Sequence, residues 1–195
     1  MSTKPILFNT EMVRAILDGR KTCTRRVVKL PKNMSGRPVG KNGDIGLMYL
    51  AGIKRPPYQP GDIIYIRETW GTYSKNWWEA DYFMYRADYP NGATTYTYSD
   101  GIVCDLPKWH PSIHMPKEAA RVWLKVTDVR VERLQDMTDD DTEAEGCFDY
   151  TSTALGFPDV WDSTIKKSDL DHYGWDANPW VWVIEFKRCE KPKEE

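Results

Sequence analysis

The chain has 195 residues, of which 41% are hydrophobic and 29% charged, and its formal net charge is −2. A chain of this length buries roughly 70% of its unfolded surface, so it can fold as one domain without a metal or a disulfide. Its four cysteines form no C-x-x-C pair and no run of about 18 apolar residues occurs, which excludes a zinc ribbon, a redox motif and a membrane-spanning helix and makes a cytoplasmic location the expected one.

The first predicted element is a short helix over residues 11–18, capped by Thr10. Gly19 is well placed to end it in the left-handed conformation. Residues 29–60 are rich in Gly and Pro and predict a long connection. The turn Pro60-Gly61-Asp62 leads into a β-branched and aromatic run over residues 63–70, which is typical of a strand.

The second half of the chain continues with strands. Residues 70–108 are crowded with aromatic residues and contain the turn signal Asn91-Gly92, which predicts an inserted hairpin or lid. Residues 121–134 alternate as a strand whose phase slips near Thr127-Asp128, as a bulge would cause. Thr138 begins a short acidic helix that ends at Gly146, and residues 180–186 alternate as a final strand.

These elements predict an α+β, mainly β fold. Strands dominate and helices flank them, which favours a small β-barrel over a sandwich. One domain over residues 1–195 is expected, with insertions at 29–60, 70–108 and 147–178.

Charge is distributed unevenly along the chain. Residues 1–60 carry twelve Lys and Arg against three acids, whereas residues 136–176 carry twelve acids against two Lys. A basic half favours a polyanionic partner, although two solvated faces of opposite sign explain the pattern equally well. Nine tryptophans and eleven tyrosines add flat rings of the kind that stack on nucleic-acid bases.

The most informative segment is the basic octet, residues 19–26, with the sequence Gly-Arg-Lys-Thr-Cys-Thr-Arg-Arg. Arg offers forked donors and Thr a hydroxyl, which suits a phosphate or a carbonyl group. The surrounding arginines are predicted to favour the neutral amine of Lys21, and such an amine beside a Thr hydroxyl is a base next to a nucleophile. In a regular strand Lys21 and Thr24 would point to opposite faces, so a turn or bulge after Gly19 is required.

The octet resembles the motif of ASCH domains, compact barrels related to the RNA-binding PUA fold. The pattern Gly19-x-Lys21-x-x-x-x-Arg26 matches, and the Gly61-Asp62 turn, the Thr138–Gly146 helix and the final strand occur in the same order. The resemblance therefore extends over nearly the whole chain.

Within that family, the chain is similar to small bacterial enzymes that hydrolyse N4-acetylcytidine. The resemblance implies that Lys21 is the proton acceptor, Thr24 the nucleophile and Glu145 the proton donor. Thr24 would attack the acetyl carbonyl, Glu145 would protonate the departing N4 amine, and water would then release acetate with Lys21 again as base. In an acidic helix, Glu145 could equally be one of several solvated carboxylates.

Other residues are candidates for binding the substrate. Arg20, Arg25 and Arg26 would hold it and tune Lys21. Trp109 and His114 are predicted to line the pocket, and Glu68 could orient the basic cluster through a salt bridge, a largely structural role. The pair His110 and His114 is a poor metal site because Pro111 opposes a regular helix and no third ligand is evident in the sequence. Neither a metal nor another cofactor is predicted.

Two further functions stay open at this stage. The same cationic cavity and aromatic rings would serve a non-catalytic module that binds RNA or a modified nucleotide. A ribonuclease would use Lys21 and Arg26 to stabilise a phosphorane. The partner is thus a nucleoside or an RNA, no membrane partner is expected, and the three insertions resemble those of larger phage-encoded ASCH proteins of unknown role. The sequence does not define the oligomeric state.

Overall fold

The computed structural model describes residues 3–29, 56–73, 82–98, 101–147 and 156–193. The strands are β1 (Thr3–Leu7), β2 (Cys23–Val27), β3 (Ile63–Arg67), β4 (Trp70–Tyr73), β5 (Tyr82–Tyr85), β6 (Thr95–Thr97), β7 (Val103–Asp105), β8 (Trp123–Arg133) and β9 (Trp180–Cys189). The α-helices are α1 (Thr10–Leu17), α2 (Asp139–Ala144), α3 (Phe157–Thr164) and α4 (Leu170–Tyr173). Single 3-10 turns cover Arg86–Asp88, Ser112–His114, Lys117–Ala119, Leu134–Asp136 and Lys167–Asp169. Within these ranges, no helix has the length and apolar character needed to cross a bilayer.

Strands dominate the structure, which confirms the α+β, mainly β class. The main sheet has five strands in the order β1-β3-β8-β9-β2, and β4-β5 and β6-β7 form two separate two-stranded sheets. In the main sheet, β1 pairs with β3 in parallel and β2 pairs with β9 antiparallel. Among the described strands this sheet is open, with β1 and β2 at the ends of the order, and no pairing closes it into a barrel.

The chain folds as two compact units, and its single-domain organisation stays a prediction. The first unit takes the described parts of Gly19–Asp62 and Lys125–Lys187. Its buried apolar residues include the cluster Leu134, Met137, Phe157, Trp161, Val181 and Val183. The second unit takes the described parts of Ser2–Asp18, Ile63–Leu124 and Arg188–Glu195. Its buried apolar residues include the cluster Ile63, Tyr65, Met115, Ala119, Ala120 and Trp123.

Helix α1 begins one residue earlier than predicted. Asn9, not Thr10, is its cap, because the Asn9 side chain accepts a hydrogen bond from the Met12 amide at 2.8 Å. The helix also ends one residue earlier than predicted, at Leu17, whereas the predicted left-handed conformation of Gly19 is confirmed by its φ of +77°. A residue with a Cβ rarely adopts that conformation, so the octet begins at a position that favours glycine.

Helix α2 has the ends that its sequence predicts. The Thr138 side chain accepts a hydrogen bond from the Asp141 amide, and the Asp141 carboxylate accepts one from the Thr138 amide, which completes a capping box. Glu145 is the C-cap residue, and Gly146 comes next with a φ of +85°. The two ends of this helix therefore determine where Glu145 lies.

Removing the N-terminal cap should destabilise the first unit measurably. We expect Thr138→Ala to lower the free energy of unfolding by about 1 kcal/mol, because an amide at the start of α2 loses its acceptor. Urea unfolding monitored by circular dichroism measures the change. Thr94→Ala, in an exposed coil, is the matched control, and equal effects of the two substitutions would contradict the capping role.

The predictions for the two long strands, β8 and β9, had different outcomes. In β8, Leu124 and Val126 are buried and then Val129 and Val131, so the burial phase slips at the predicted place. The last strand extends beyond the predicted residues to Cys189, and its residues 181–184 are all buried. Strand β9 is therefore covered on both faces over this stretch, and the prediction of a single apolar face was wrong there.

The aromatic region 70–108 contains two hairpin-like pairs, as expected of an insertion. Strand β4 pairs with β5 and strand β6 with β7. The Asn91-Gly92 turn, however, lies between the 3-10 turn after β5 and the start of β6, so it does not connect two paired strands. Much of the predicted connection 29–60 and parts of both other insertions lie outside the described residues.

Candidate active site

The basic octet lies between the end of α2 and the strand β9. The Thr22 amide donates to the Ala144 carbonyl at 2.8 Å, and the Phe186 amide donates to the Thr22 carbonyl at 2.9 Å. Lys21 and Glu145 form an isolated antiparallel bridge between their backbones. From Cys23 onward the octet continues as β2, with Cys23 opposite Glu185 of β9. Backbone pairing thus brings the octet and the acidic helix together.

Lys21 and Glu145, two of the predicted catalytic residues, are in direct contact. Lys21 is 3% exposed and Glu145 is 7% exposed. The Lys21 Nζ donates to the backbone carbonyl of Glu145 at 2.9 Å and also forms a very short contact with its Oε2. Because both groups are removed from water, this ion pair has few competing partners.

Arg25 extends the pair into a buried ionic network. Its guanidinium contacts Glu132 at 2.8 Å, Asp141 at 3.0 Å and the Oε1 of Glu145 at 3.3 Å. The Arg25 side chain is fully buried. Three carboxylates therefore surround Arg25 and offset its contribution to the positive field predicted around Lys21.

Thr24, the predicted nucleophile, lies inside β2. It is 2% exposed and is paired with Ile184 of β9. Since side chains alternate along a strand, Thr24 lies on the face of β2 opposite to Cys23 and Arg25. The regular strand begins only after Thr22, but Arg25 and Lys21 both contact Glu145, so Thr24 faces away from that contact. The nucleophilic role of Thr24 stays a prediction.

The remaining arginines of the octet are half-buried. An Arg20 Nη donates to the Gly146 carbonyl at 3.3 Å, so this side chain also contacts the end of α2. Burial lowers the pKa of Arg26, and nearby Glu145 and Tyr58 oppose that shift. Substrate binding by Arg20, Arg25 and Arg26 stays a prediction.

Burial and ion pairing shift several pKa values in this cluster. Burial, reinforced by Glu145, raises the pKa of the Cys23 thiol to about 12, so the thiol is protonated at neutral pH. Burial acts to lower the pKa of Arg25, but the Glu145 and Glu132 carboxylates raise it overall. Burial acts to raise the pKa of Asp141, yet hydrogen bonds from Thr138 and Arg25 hold it below its usual value.

A cavity of 240 Å³ opens beside the network. Its lining consists of Thr22, Cys23, Thr127, Asp141, Ala144, Glu185 and Phe186. These residues come from the octet, α2, β8 and β9, and they include the immediate neighbours of Lys21 and Glu145 in the sequence. The cavity is large enough for a nucleobase-sized group and presents carboxylate, hydroxyl and thiol groups to it.

Arg130 is a network residue that the sequence analysis missed. Its guanidinium contacts Glu185 directly and Asp141 at 3.5 Å, and both of these acids line the cavity. It also contacts Glu132 at 3.3 Å. Two strands provide these charges, since Arg130 and Glu132 lie on β8 and Glu185 lies on β9, all at half-buried positions where single charges are common. Their ion pairs could have been predicted only from the register between the two strands.

Glu68, in the second unit, has a different partner from the one predicted. Both of its oxygens accept hydrogen bonds from Arg121, at 3.0 and 3.1 Å, and the carboxylate is 1% exposed. Burial raises the pKa of Glu68, and Arg121 opposes the shift. Arg121 also contacts Asp88 and lies 4.0 Å from the centre of the Tyr85 ring. The ion pair is therefore with Arg121, and the prediction of a pair with the basic octet was wrong.

The predicted pocket residues Trp109 and His114 also lie in the second unit. Trp109 is half-buried, with its ring 6.0 Å from that of Tyr89 and 5.9 Å from the Arg86 guanidinium. His114 is exposed in a 3-10 turn, and His110 packs its ring against Trp70 at 5.1 Å. Contact of Trp109 and His114 with a substrate stays a prediction. In the described ranges, no group of three or more His, Cys, Asp or Glu is placed to hold a metal.

The pKa of Asp141 leads to a prediction for stability against pH. Because the folded pKa lies below the unfolded one, the Asp141 carboxylate stabilises the fold above its unfolded pKa and loses that effect as the pH falls. We expect Asp141→Asn to cost about 2 kcal/mol at pH 7, through the lost cap and the lost Arg25 pair. Chemical unfolding from pH 7 to 3 should show the difference from wild type shrinking below about pH 4. A constant difference would contradict this account.

The chain was compared with protein families, curated proteins and solved structures. No protein-family model and no curated protein matches the chain. A solved structure from Lactobacillus crispatus JV V101, described as an ASCH domain, is similar at 13% sequence identity and a TM-score of 0.47. The match covers 96% of this chain and 79% of that one.

Proposed function

We propose that the protein is an amidohydrolase that removes the N4-acyl group from N4-acetylcytidine or a related modified cytidine. Lys21, Thr24 and Glu145 are its proposed catalytic residues. The observation that carries the proposal is the buried contact between Lys21 and Glu145 beside a cavity. A lysine and a glutamate in contact away from water are a base and an acid between which a proton can move.

One proton shared by this pair is all that the reaction needs. With the proton on Lys21, the pair is an ammonium and a carboxylate, and with the proton on Glu145 it is an amine and a carboxylic acid. The neutral form provides a base for a hydroxyl and an acid for a leaving amine at the same time.

The proposed reaction has two balanced halves. The Thr24 hydroxyl gives its proton to the Lys21 amine and attacks the acyl carbonyl, after which the Glu145 acid protonates N4 and the carbon–nitrogen bond breaks. Cytidine leaves and the acyl group stays on Thr24 as an ester. The proton then passes from Lys21 to Glu145, water gives a proton to the Lys21 amine and attacks the ester, and Glu145 protonates the Thr24 oxygen before the two groups exchange their proton once more. Acetic acid leaves and both catalytic groups return to their starting forms.

The charge around the cavity supports a nucleoside substrate over an RNA strand. Among the described residues of the first unit, the linked ion pairs contain five carboxylates and three cations. The carboxylates are Asp128, Glu132, Asp141, Glu145 and Glu185, and the cations are Lys21, Arg25 and Arg130. With Arg20 and Arg26 of the same octet, which lie at the end of α2 and near Glu145, these cations also number five, so the cluster has no excess positive charge with which to attract a phosphate backbone. The RNA-binding module therefore has less support in the geometry than the hydrolase.

Substrate access requires a local movement. Lys21 and Thr24 are 3% and 2% exposed, and the cavity reaches their neighbours Thr22 and Cys23. A displacement of the end of α2 relative to the octet would open the Lys21–Glu145 contact toward the cavity, and a local rotation of β2 at Thr24 would turn its hydroxyl from the opposite face of the strand toward the Lys21 amine. The proposal includes this opening, which a ligand can favour by binding the open state more tightly.

The test is direct incubation of the protein with N4-acetylcytidine, with cytidine and acetate measured by chromatography. Turnover by the wild type and trapping of one acyl group on Thr24, detected by mass spectrometry after acid quenching, would support the mechanism. Absence of turnover at high protein concentration would sink the function for this substrate. A parallel titration with a fluorescent RNA oligonucleotide tests the binding module, whose affinity should fall steeply with salt if phosphates are held by basic side chains.

A further inference from the structure

We infer that Arg25 is a positioning residue that holds the Glu145 carboxylate with one oxygen toward Lys21 and thereby controls which of the two groups carries their shared proton. This inference deepens the proposed function and rests on it for its kinetic readout. The ASCH motif that the octet resembles specifies no residue at position 25, where this chain has an arginine.

The geometry divides the two oxygens of Glu145 between two cations. Oε1 lies 3.3 Å from a terminal nitrogen of Arg25, and Oε2 contacts the Lys21 Nζ. A carboxylate that is held at both oxygens cannot rotate to present the other one. By holding Oε1, Arg25 therefore keeps the Oε2 of Glu145 next to Lys21, where a proton can pass between the two groups.

Arg25 is itself held from its other side. Its Nε and Nη2 donate to the Glu132 Oε1 at 3.2 and 2.8 Å, and Nη2 lies 3.0 Å from Asp141. A guanidinium has a planar set of donors, so contacts along one edge fix the direction of the remaining nitrogen. Glu132 on β8 and Asp141 on α2 thus aim that nitrogen at Glu145.

The charge of Arg25 acts on the proton as well as on the geometry. A cation at Oε1 stabilises the carboxylate form of Glu145 and thus favours the proton on Lys21. Other charged or titratable groups also act on Glu145, namely Lys21, Cys23 and Arg26 from the octet and Cys147 just after α2. Glu132 from β8 and Asp141 from α2 face Arg25. The ion pairs that reach Glu145 include those of Lys21 and Arg25.

The kinetic test is the pH profile of kcat/KM for N4-acetylcytidine in Arg25→Gln. Loss of a neighbouring cation makes each proton of the pair bind more tightly, so both limbs of the profile should move to higher pH, by on the order of one pH unit. Arg25→Lys, which keeps a cation, should move the limbs back toward those of the wild type. Arg130→Gln is the matched control, because it removes the same charge from the same network without contacting Glu145, and its shift should be smaller. Equal shifts in the two glutamine variants, or none in Arg25→Gln, would overturn the inference.

A second measurement separates failure of the inference from failure of the proposed function. In protein carrying 13C-labelled glutamate side chains, the Glu145 carboxyl resonance, assigned with Glu145→Gln, can be titrated without any substrate. Its midpoint should rise in Arg25→Gln even if N4-acetylcytidine is not turned over. If Arg25→Gln does not fold, the double variant Arg25→Gln with Glu132→Gln removes a facing pair of opposite charges, and a smaller rise is expected because loss of the Glu132 anion partly offsets loss of the closer Arg25 cation. An unchanged midpoint in the folded variant would refute the role of Arg25.

Discussion

Lys21→Met is expected to lower kcat/KM for N4-acetylcytidine by roughly 10²–10⁴-fold, because the reaction loses the base that activates the Thr24 hydroxyl. Methionine fills a similar space without a donor or an acceptor, so the cavity keeps its shape. Thr24→Val, which replaces the hydroxyl by a methyl group, should abolish both turnover and the trapped acyl group. Steady-state kinetics with chromatographic detection of cytidine measures both effects.

Matched controls exclude a general loss of activity. Lys29→Met removes an exposed lysine just after β2, and Thr94→Val changes an exposed threonine of the second unit. Both should keep the activity of the wild type. If Lys21→Met retained full turnover, Lys21 would not be the base. If Thr24→Val retained it, hydrolysis would proceed by direct attack of water, without an acyl-enzyme.

Glu145→Ala is expected to lower the free energy of unfolding by about 3–5 kcal/mol, because it leaves the buried Lys21 ammonium and one nitrogen of Arg25 without their carboxylate. Breaking one side of a buried ion pair costs far more than removing both sides. The double variant Lys21→Met with Glu145→Gln should therefore be more stable than Glu145→Ala alone. Urea unfolding of the three proteins gives the comparison.

The control for that experiment lies on the same helix. Glu143 is exposed two residues earlier, and Glu143→Ala should change the free energy of unfolding by no more than about 0.5 kcal/mol. A large effect of Glu143→Ala would indicate that α2 tolerates no substitution at all. A small effect of Glu145→Ala would show that water reaches Lys21, contrary to the buried contact.

Local features of the fold could be predicted from the sequence, whereas pairings between distant segments could not. The end of α1 at Gly19 and the cap at Thr138 depend on interactions within three or four residues. Glycine favours the first position and threonine the second, so both could be predicted. Asn9 and Thr10 are both good caps, and only the observed bond to Met12 distinguishes them. The parallel pairing of β1 with β3 was missed because a five-residue strand containing Pro5 has a weak pattern of its own.

The candidate site shows the same division. The motif and the end of the acidic helix identified Lys21 and Glu145, which the structure brings into contact. The ion partners of Arg25 are separated from it by more than 100 residues in the sequence. The order of charges along the chain does not indicate which residues of distant strands lie opposite each other, so these pairs could not be predicted. The same holds for Glu68, whose partner Arg121 is 53 residues away. Sequence spacing predicted which segment is reactive but not which charges compensate one another.

The short helix α2 also limits how this protein can change in length. Its six residues are fixed at one end by Thr138 and at the other by the left-handed Gly146. Each residue added to a helix rotates the next part of the chain by about 100° and moves it by about 1.5 Å. An insertion between those two positions would rotate Glu145 away from Lys21, whereas an insertion before Thr138 would leave the contact intact. Related chains that keep this chemistry should therefore vary in length on either side of α2 and not within it.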